Sequence, residues 1–349
     1  MILPDATLPD YIVTCANHAL DALRKQCGKN ILPDMAGADL LTLRARLMQF
    51  KPATQVSANG SCHLLLTQDR QWIALNLSRS SDWELLPALF RTTAPVNTWL
   101  NVATQVEKNP ATDLLDQGRA LGLAIAAAEK NHISPPENYF EIISRGKKCK
   151  DIRVNNKPIR VLDLSSLWAG PLCSQLLQQA GAQVVKVESK TRPDGAGLNT
   201  RSGGKEFYAW LNRNKELITL DFSEANDIQQ LKQMIVEADI VIEGSRPRAL
   251  RQLGIDAEAM VQQQPGLVWV SITGYGRCEP QANWIAFGDD AAISAGLSGV
   301  ADNKPVFIGD AIADPLTGLH AALAAYENYQ CGHSALIDLN LHTVSRYCR

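Results

Sequence analysis

The chain has 349 residues, 46% of them hydrophobic, enough for a sizeable core in one large domain or two smaller ones. Lys and Arg (34) nearly balance Asp and Glu (36), giving a formal net charge of -2 that argues against nucleic acid or an anionic membrane as main partner. The start, Met1-Ile2-Leu3-Pro4-Asp5, has no basic region followed by an apolar run, and no apolar stretch reaches the roughly 18 residues of a membrane span, so the expectation is a cytoplasmic protein.

In chain order, residues 11–47 carry a helical pattern, with Ala19, Leu20 and Leu23 and then Leu40, Leu43 and Leu47 at helical spacing. Two apolar runs at 62–66 and 72–77, separated by Thr67 to Gln71, read as a hairpin, with Trp72 and Trp83 as core residues. Residues 82–90 and 110–128 read as helical again. Between His132 and Pro158, the pair Pro135-Pro136, Gly146 and the basic Lys147, Lys148 and Lys150 read as a linker. It divides the chain into a smaller α+β domain, 1–150, and a second domain, 151–349.

From Ile159 strand and helix alternate. Strands are expected at 160–164, 183–187, 217–222, 239–242 and 267–272, with helical patterns between several of them. This predicts an α/β domain, a Rossmann-like parallel sheet with helices on both faces. In such sheets ligands sit beyond the carboxyl ends of the strands, here the loops 165–170, 188–204, 244–248 and 273–288.

Several chemistries lose ground. Gly195-Ala196-Gly197 lacks the third glycine and the strand-to-helix context of a dinucleotide fingerprint, and neither a P-loop nor a nucleophile elbow occurs. The eight cysteines are scattered without a CxxC pair or histidines at ligand spacing, so they read as reduced thiols and no metal site is expected.

Two positions carry candidate chemistry. At Ser245-Arg246-Pro247-Arg248-Ala249-Leu250-Arg251, Ser245 and Pro247 suit a helix start, yet three arginines crowd the end that disfavours cations. Either an anion binds there or the arginines point into water. Lys186, Lys190, Arg192, Arg213 and Lys215 lie near other strand ends and would strengthen an anion site. Asp314 precedes Pro315 and a helix patterned through Leu316, Leu319, Leu323 and Tyr326. It is either an N-cap or a carboxylate kept ionised by the helix start and available for attack. Asp310 is a rival, and Asp289-Asp290 read as caps. Leu167-Trp168-Ala169-Gly170-Pro171 and Thr273-Gly274-Tyr275-Gly276 would let a ligand approach the backbone, or are plain turns.

The order and spacing of these pieces resemble the family III CoA-transferases, the formyl-CoA transferase, carnitine CoA-transferase and α-methylacyl-CoA racemase group. The match runs from about Arg160 to Asn340. It passes through Val161-Leu162-Asp163-Leu164-Ser165, Ala169-Gly170-Pro171, Val185-Lys186-Val187-Glu188, Asn212-Arg213-Asn214-Lys215, Arg246-Pro247, Ser271-Ile272-Thr273-Gly274-Tyr275-Gly276, Ala313-Asp314 and Thr317-Gly318-Leu319. The resemblance implies CoA and acyl-CoA as substrates, with no tightly bound cofactor, a carboxylic acid as second substrate and a homodimer. It places Asp314 at the nucleophilic aspartate, and Leu167, Trp168, Ala169, Arg192, Gly244, Ser245 and Arg251 where relatives contact CoA. Arg246, from the arginine-bearing junction, completes the expected CoA-binding set.

Departures from the pattern matter. Gly288-Asp289-Asp290 stands where racemases carry Gly-His-Asp, Gly244 replaces an Asn, and a lysine is missing around Ala286. The smaller domain, with Trp72, Asn76, Trp83 and the turn Leu121-Gly122-Leu123-Ala124, resembles the family's small domain placed before the large one. The alternatives are an acyl-CoA racemase or isomerase using Asp314 and Asp289, or a non-catalytic CoA-binding subunit. The acid itself is not legible.

Overall fold

The computed structural model describes residues 8–129, 134–149, 157–194 and 204–349. Lys150, the greater part of the link after it and Gly195-Ala196-Gly197 lie outside the described residues.

A three-stranded antiparallel sheet comes first: β1 (Cys62–Leu66), β2 (Trp72–Asn76) and β3 (Ala124–Ala127), in that order. The expected hairpin is its first two strands, with Leu64 opposite Ala74. The helix expected through residue 128 ends instead at Leu121, because Gly122 turns left-handed at φ 75° and frees the chain to enter β3 at Ala124.

The large sheet has seven strands: β4 (Glu141–Lys148), β5 (Arg160–Leu164), β6 (Gln183–Ser189), β7 (Glu216–Leu220), β8 (Ile240–Glu243), β9 (Val268–Thr273) and β12 (His333–Asn340). A two-stranded ribbon, β10 (Ser298–Ala301) with β11 (Lys304–Phe307), lies between β9 and β12 in the chain. The spatial order is β4-β12-β9-β8-β5-β6-β7, with every pair parallel except β4 with β12. Numbered along the chain, the six parallel strands run 3-2-1-4-5-6, the doubly wound Rossmann order. Its reversal point lies between β5 and β8, which fixes where a ligand cleft opens.

The sheet corrects the linker expectation. Residues 141–148 form the antiparallel edge strand β4, with Ser144 opposite Leu336 and Lys148 opposite His333. Gly146, read as a turn residue, is needed for close approach, since a Cβ there would sit 2.2 Å from the Val261 carbonyl oxygen. The first two helices, Asp10–Cys27 and Gly37–Met48, also join the large sheet's core. Ile12, Ala16, Leu20 and Leu23 on one helix and Leu40 and Leu41 on the other share an apolar cluster with Leu172, Leu316 and Leu319. A separate cluster from Leu65 to Ile125 belongs to the three-stranded sheet and its helices. The cores therefore divide the chain differently from 1–150 and 151–349.

Helix Ala313–Cys331 is the buried centre of one face, Ala-rich along its length. Gly318 lets it cross helix Ala169–Gln179 closely, because a Cβ would meet the Ala169 carbonyl oxygen at 2.7 Å. Cys15 and Cys348, 333 residues apart, come together within disulfide reach, with Cα atoms 5.5 Å apart. Among the described residues no helix is long and apolar enough to cross a membrane.

Candidate active site

The loops after β5 and β8 meet at the reversal point. Leu167 takes a left-handed φ of 69°, and its N–H donates to Asp194 Oδ1 at 2.8 Å. The other oxygen of Asp194 is 3.0 Å from Lys186 Nζ, which also donates to the Ser165 carbonyl at 2.7 Å. This chain of contacts holds the 165–168 loop in a conformation that a leucine adopts only under constraint. Gly170 permits the turn, since a Cβ would fall 2.1 Å from Ser165 Oγ.

Lys186 and Lys215 are thereby removed from the anion-binding set. Both are buried around Asp163: Lys215 Nζ lies 3.3 Å from Asp163 Oδ2 and donates to Ser174 Oγ at 2.6 Å and the Pro171 carbonyl at 2.9 Å. Burial pulls the Lys215 ammonium down to about 8, with Asp163 opposing. Burial would raise the Asp163 carboxyl, but the lysines and two serine hydroxyls outweigh it and hold it down at about 2. These charges brace the strand ends from within.

Two adjoining cavities open above. The first, about 260 Å³, is walled by Leu164, Val187, Phe222, Leu231, Leu250 and Leu253, with Ser245 and Arg192 at its edge. The second, about 620 Å³, shares Ser166, Arg192 and Asp194 with the first and reaches Asp314. Leu167, Trp168, Arg79, Asn59, Ser61 and Asn76 line it as well. Asp314, Leu167, Trp168 and Arg192 thus face one space, and Ser245 faces the space beside it. Ala169, the buried first residue of helix Ala169–Gln179, and Gly244, packed against Ser165, support these loops. Arg251 turns elsewhere, pairing with Glu258 at 3.1 Å and Asp256 at 3.7 Å.

Cations gather at the mouth. The Arg246 guanidinium is held below its ordinary value by burial and then by Arg248, Arg79 and Arg192. An anion would relieve that repulsion. Arg79 comes from the chain just after β2, and its Asp82 and Gly122 contacts (2.8 and 2.9 Å) fix the guanidinium in place.

At the floor, Asp314 occupies the first turn of helix Ala313–Cys331 rather than its cap, which is Ile312. Gly288 comes so close that a Cβ would lie 2.4 Å from Asp314 Oδ2, and its backbone acts to lower that carboxyl. The helix start does not keep Asp314 at an ordinary acidity. Burial raises it to about 7, Arg44 pulls it down and Asp310 pushes it up. Asp289 accepts from the Ala311 N–H at 2.9 Å and also lies at about 7, raised by burial and then by Asp310. Asp290 accepts from Asn76 at 3.1 Å and from the Phe287 N–H at 3.0 Å, and burial raises it to about 8.

One guanidinium serves this acidic group. Arg44 Nε donates to Asp310 Oδ2 at 2.7 Å, a second nitrogen donates to Oδ1, and Trp168 lies 4.6 Å below the guanidinium carbon. Asp310, the sequence rival for nucleophile, is therefore fully engaged. Arg44, Arg79 and Asp194 escape the sequence reading, and Asn76 enters it only as part of the smaller domain. Arg44 had one signal: it falls on the apolar stripe Leu40, Leu43, Leu47, where a charge needs a buried partner.

The family model for "CoA-transferase family III" matches residues 157–345. A succinyl-CoA–D-citramalate CoA-transferase from Chloroflexus aurantiacus is 32% identical over 198 residues, covering 53% of this chain and 48% of that protein. A succinyl-CoA:glutarate CoA-transferase from Mus musculus is 34% identical, covering 52% and 44%. A CaiB/BaiF family protein from Brucella suis has a solved structure that is 29% identical with a TM-score of 0.50, covering 54% and 53%. The chain spans about half the length of the curated relatives it matches.

Proposed function

The chain belongs to CoA-transferase family III, and from that premise we propose that it moves coenzyme A from an acyl-CoA donor to a carboxylic acid through a covalent intermediate on Asp314. The observation that carries the proposal is the Asp314 carboxylate at the floor of a 620 Å³ cavity whose mouth presents Arg79 and Arg192, with Arg246 close by.

CoA is long, anionic at one end and reactive at the other. The apolar slot at the β5–β8 reversal suits its adenine, the arginines suit its phosphates, and the path past Leu167 and Trp168 suits its pantetheine arm. The thioester then arrives at Asp314. The carboxylate attacks the acyl carbonyl and the thiolate leaves, giving an aspartyl mixed anhydride. The thiolate attacks the aspartyl carbonyl, releasing the first acid and leaving an aspartyl thioester. The second acid attacks that thioester, and the freed thiolate takes up its acyl group. Asp314 emerges as a carboxylate, with no net proton taken or given. The Gly288 backbone lies close against the aspartyl oxygens, where negative charge builds.

The polar wall of Asn59, Ser61 and Asn76 favours a short polar acid, in line with the dicarboxylates named in the matched relatives. A homodimer and a cytoplasmic location belong to this reading. So does a division into domains, redrawn to follow the cores: the cluster from Leu65 to Ile125 as the smaller unit, with the first two helices and β4 joined to the larger.

The test is trapping. The protein and its Asp314→Asn variant are incubated with a panel of acyl-CoA donors, digested and searched by mass spectrometry for acyl or CoA adducts. An adduct confined to Asp314 and absent from the variant is expected; binding without label would sink the covalent reading. Asp289, at about 7 beside the same cavity, keeps an acyl-CoA racemase or isomerase as second reading. Labelled CoA moving between acids separates the two.

A further inference from the structure

Six residues along the helix from Asp314, three side chains from distant parts of the chain converge. Cys15 lies on helix Asp10–Cys27, His320 on the helix that begins with Asp314's turn, and Cys348 just after the last helix, Leu341–Tyr347. Their sulfur and nitrogen atoms all lie within 4.8 Å of one another. His320 Nε2 is 3.6 Å from Cys15 Sγ and 3.8 Å from Cys348 Sγ.

The ring's other nitrogen decides its orientation. His320 Nδ1 is 2.8 Å from the Leu316 carbonyl oxygen, which can only accept, so Nδ1 carries the proton. Nε2 is left with a lone pair aimed at two sulfurs. A disulfide offers that lone pair no donor, and His320 is almost wholly buried, so no solvent reaches it freely. An imidazole whose Nδ1–H is anchored to a backbone carbonyl and whose Nε2 faces thiol sulfurs is oriented as metal-bound histidines are. Tyr139 and Tyr347 pack edge-on against it, with ring centroids at 4.8 and 5.7 Å.

We propose that Cys15, His320 and Cys348, with the cysteines reduced, form a binding site for a thiophilic divalent cation of the zinc class. Two thiolates and one imidazole make a donor set that favours zinc over the hard cations magnesium and calcium. Binding releases the two thiol protons as two metal–sulfur bonds form. The disulfide is the alternative state. A low-molecular-weight disulfide would take the two electrons from the thiolates and be reduced to two thiols as the cation leaves. The site joins the first and last helices to the helix carrying Asp314, so occupancy ties down both ends of that packing.

The test uses the full chain, reduced with a non-chelating phosphine, stripped of metal and titrated with zinc or cobalt(II). One equivalent of zinc by elemental analysis is expected, with a thiolate-to-cobalt charge-transfer band in the near ultraviolet. Cys348→Ser should lose the band and weaken zinc binding at least a hundredfold. The wild-type spectrum alone decides the matter if that variant fails to fold. No band and under a tenth of an equivalent of zinc, in protein whose eight thiols all titrate as free, would overturn the proposal. A band that persists in both Cys348→Ser and Cys15→Ser would also overturn it.

Discussion

Two groups of buried charge lie on either side of the 165–168 loop, and they behave oppositely. Beneath it, Asp163 has two lysines and two serine hydroxyls, and its carboxyl is held at about 2. Beyond it, Asp289, Asp310 and Asp314 gather around the single guanidinium of Arg44, and Asp289 and Asp314 rise to about 7. Burial is common to both groups. The ratio of cations to carboxylates separates them: where cations suffice, charge braces the fold, and where they fall short, burial raises the carboxyls towards neutral pH.

The largest expected effect is on chemistry. Asp314→Asn should lower CoA transfer at least about 10³-fold while the protein remains folded. Acyl-CoA turnover and urea unfolding measured on the same preparation would check both halves. Retained activity would break the comparison at its functional side.

Asp163→Asn should do the reverse, costing about 3–5 kcal/mol of stability by stranding buried lysines. Urea unfolding reads this directly. A loss under about 1 kcal/mol would mean the cluster is not a brace. Arg44→Met should lie between the two, lowering stability and moving the acid limb of activity upward, since Asp314 loses the cation that pulls its acidity down.

pH sharpens the contrast through its sign. Asp163 is depressed, so its contribution to stability is present above about 3.8 and lost as pH falls towards 2. Asp314 is raised, so the native state holds a proton that the unfolded chain has given up, and stability falls as pH rises from about 4 to 7. Transfer activity should rise with pH around a midpoint at about 7, where Asp314 gives up that proton. Denaturation curves from pH 3 to 8 on the protein and Asp314→Asn should show a shallower decline in the variant.

Smaller effects are expected at the mouth. Arg79→Ala and Arg192→Ala should each raise KM for acyl-CoA about tenfold, with kcat little changed and the difference shrinking in high salt. Arg251→Ala should change KM by less than about twofold and stability by about 0–1 kcal/mol, because its partners are Glu258 and Asp256 at the surface. A large KM effect at Arg251 would return it to the CoA site.

Much of the second half is legible because its signals are local. Residues 160–164 have the bounds expected of a strand, and β6, β8 and β9 differ from expectation by one or two residues. Asp314 and the 167–169 loop stood out by their place at element starts. Gly146 and β4 were misread as linker, since a strand at an antiparallel edge with polar alternate residues looks like a charged connection until β12 lies beside it.

The sequence by itself determined the alternation of strands and helices, the loops that carry the site and the aspartate at a helix start, because hydrophobic period and turn chemistry act over a few residues. Only the tertiary structure decided which charges are spent inside and which face the cavity. Lys186 and Lys215 read like Arg192 along the chain, yet two are sealed against Asp163 and Asp194 and one lines the cleft. It alone brought Arg44 to Asp310 across 266 residues and Cys15 to Cys348 across 333. Desolvation and ion pairing depend on neighbours in space, and the spacing of residues along a chain does not encode them.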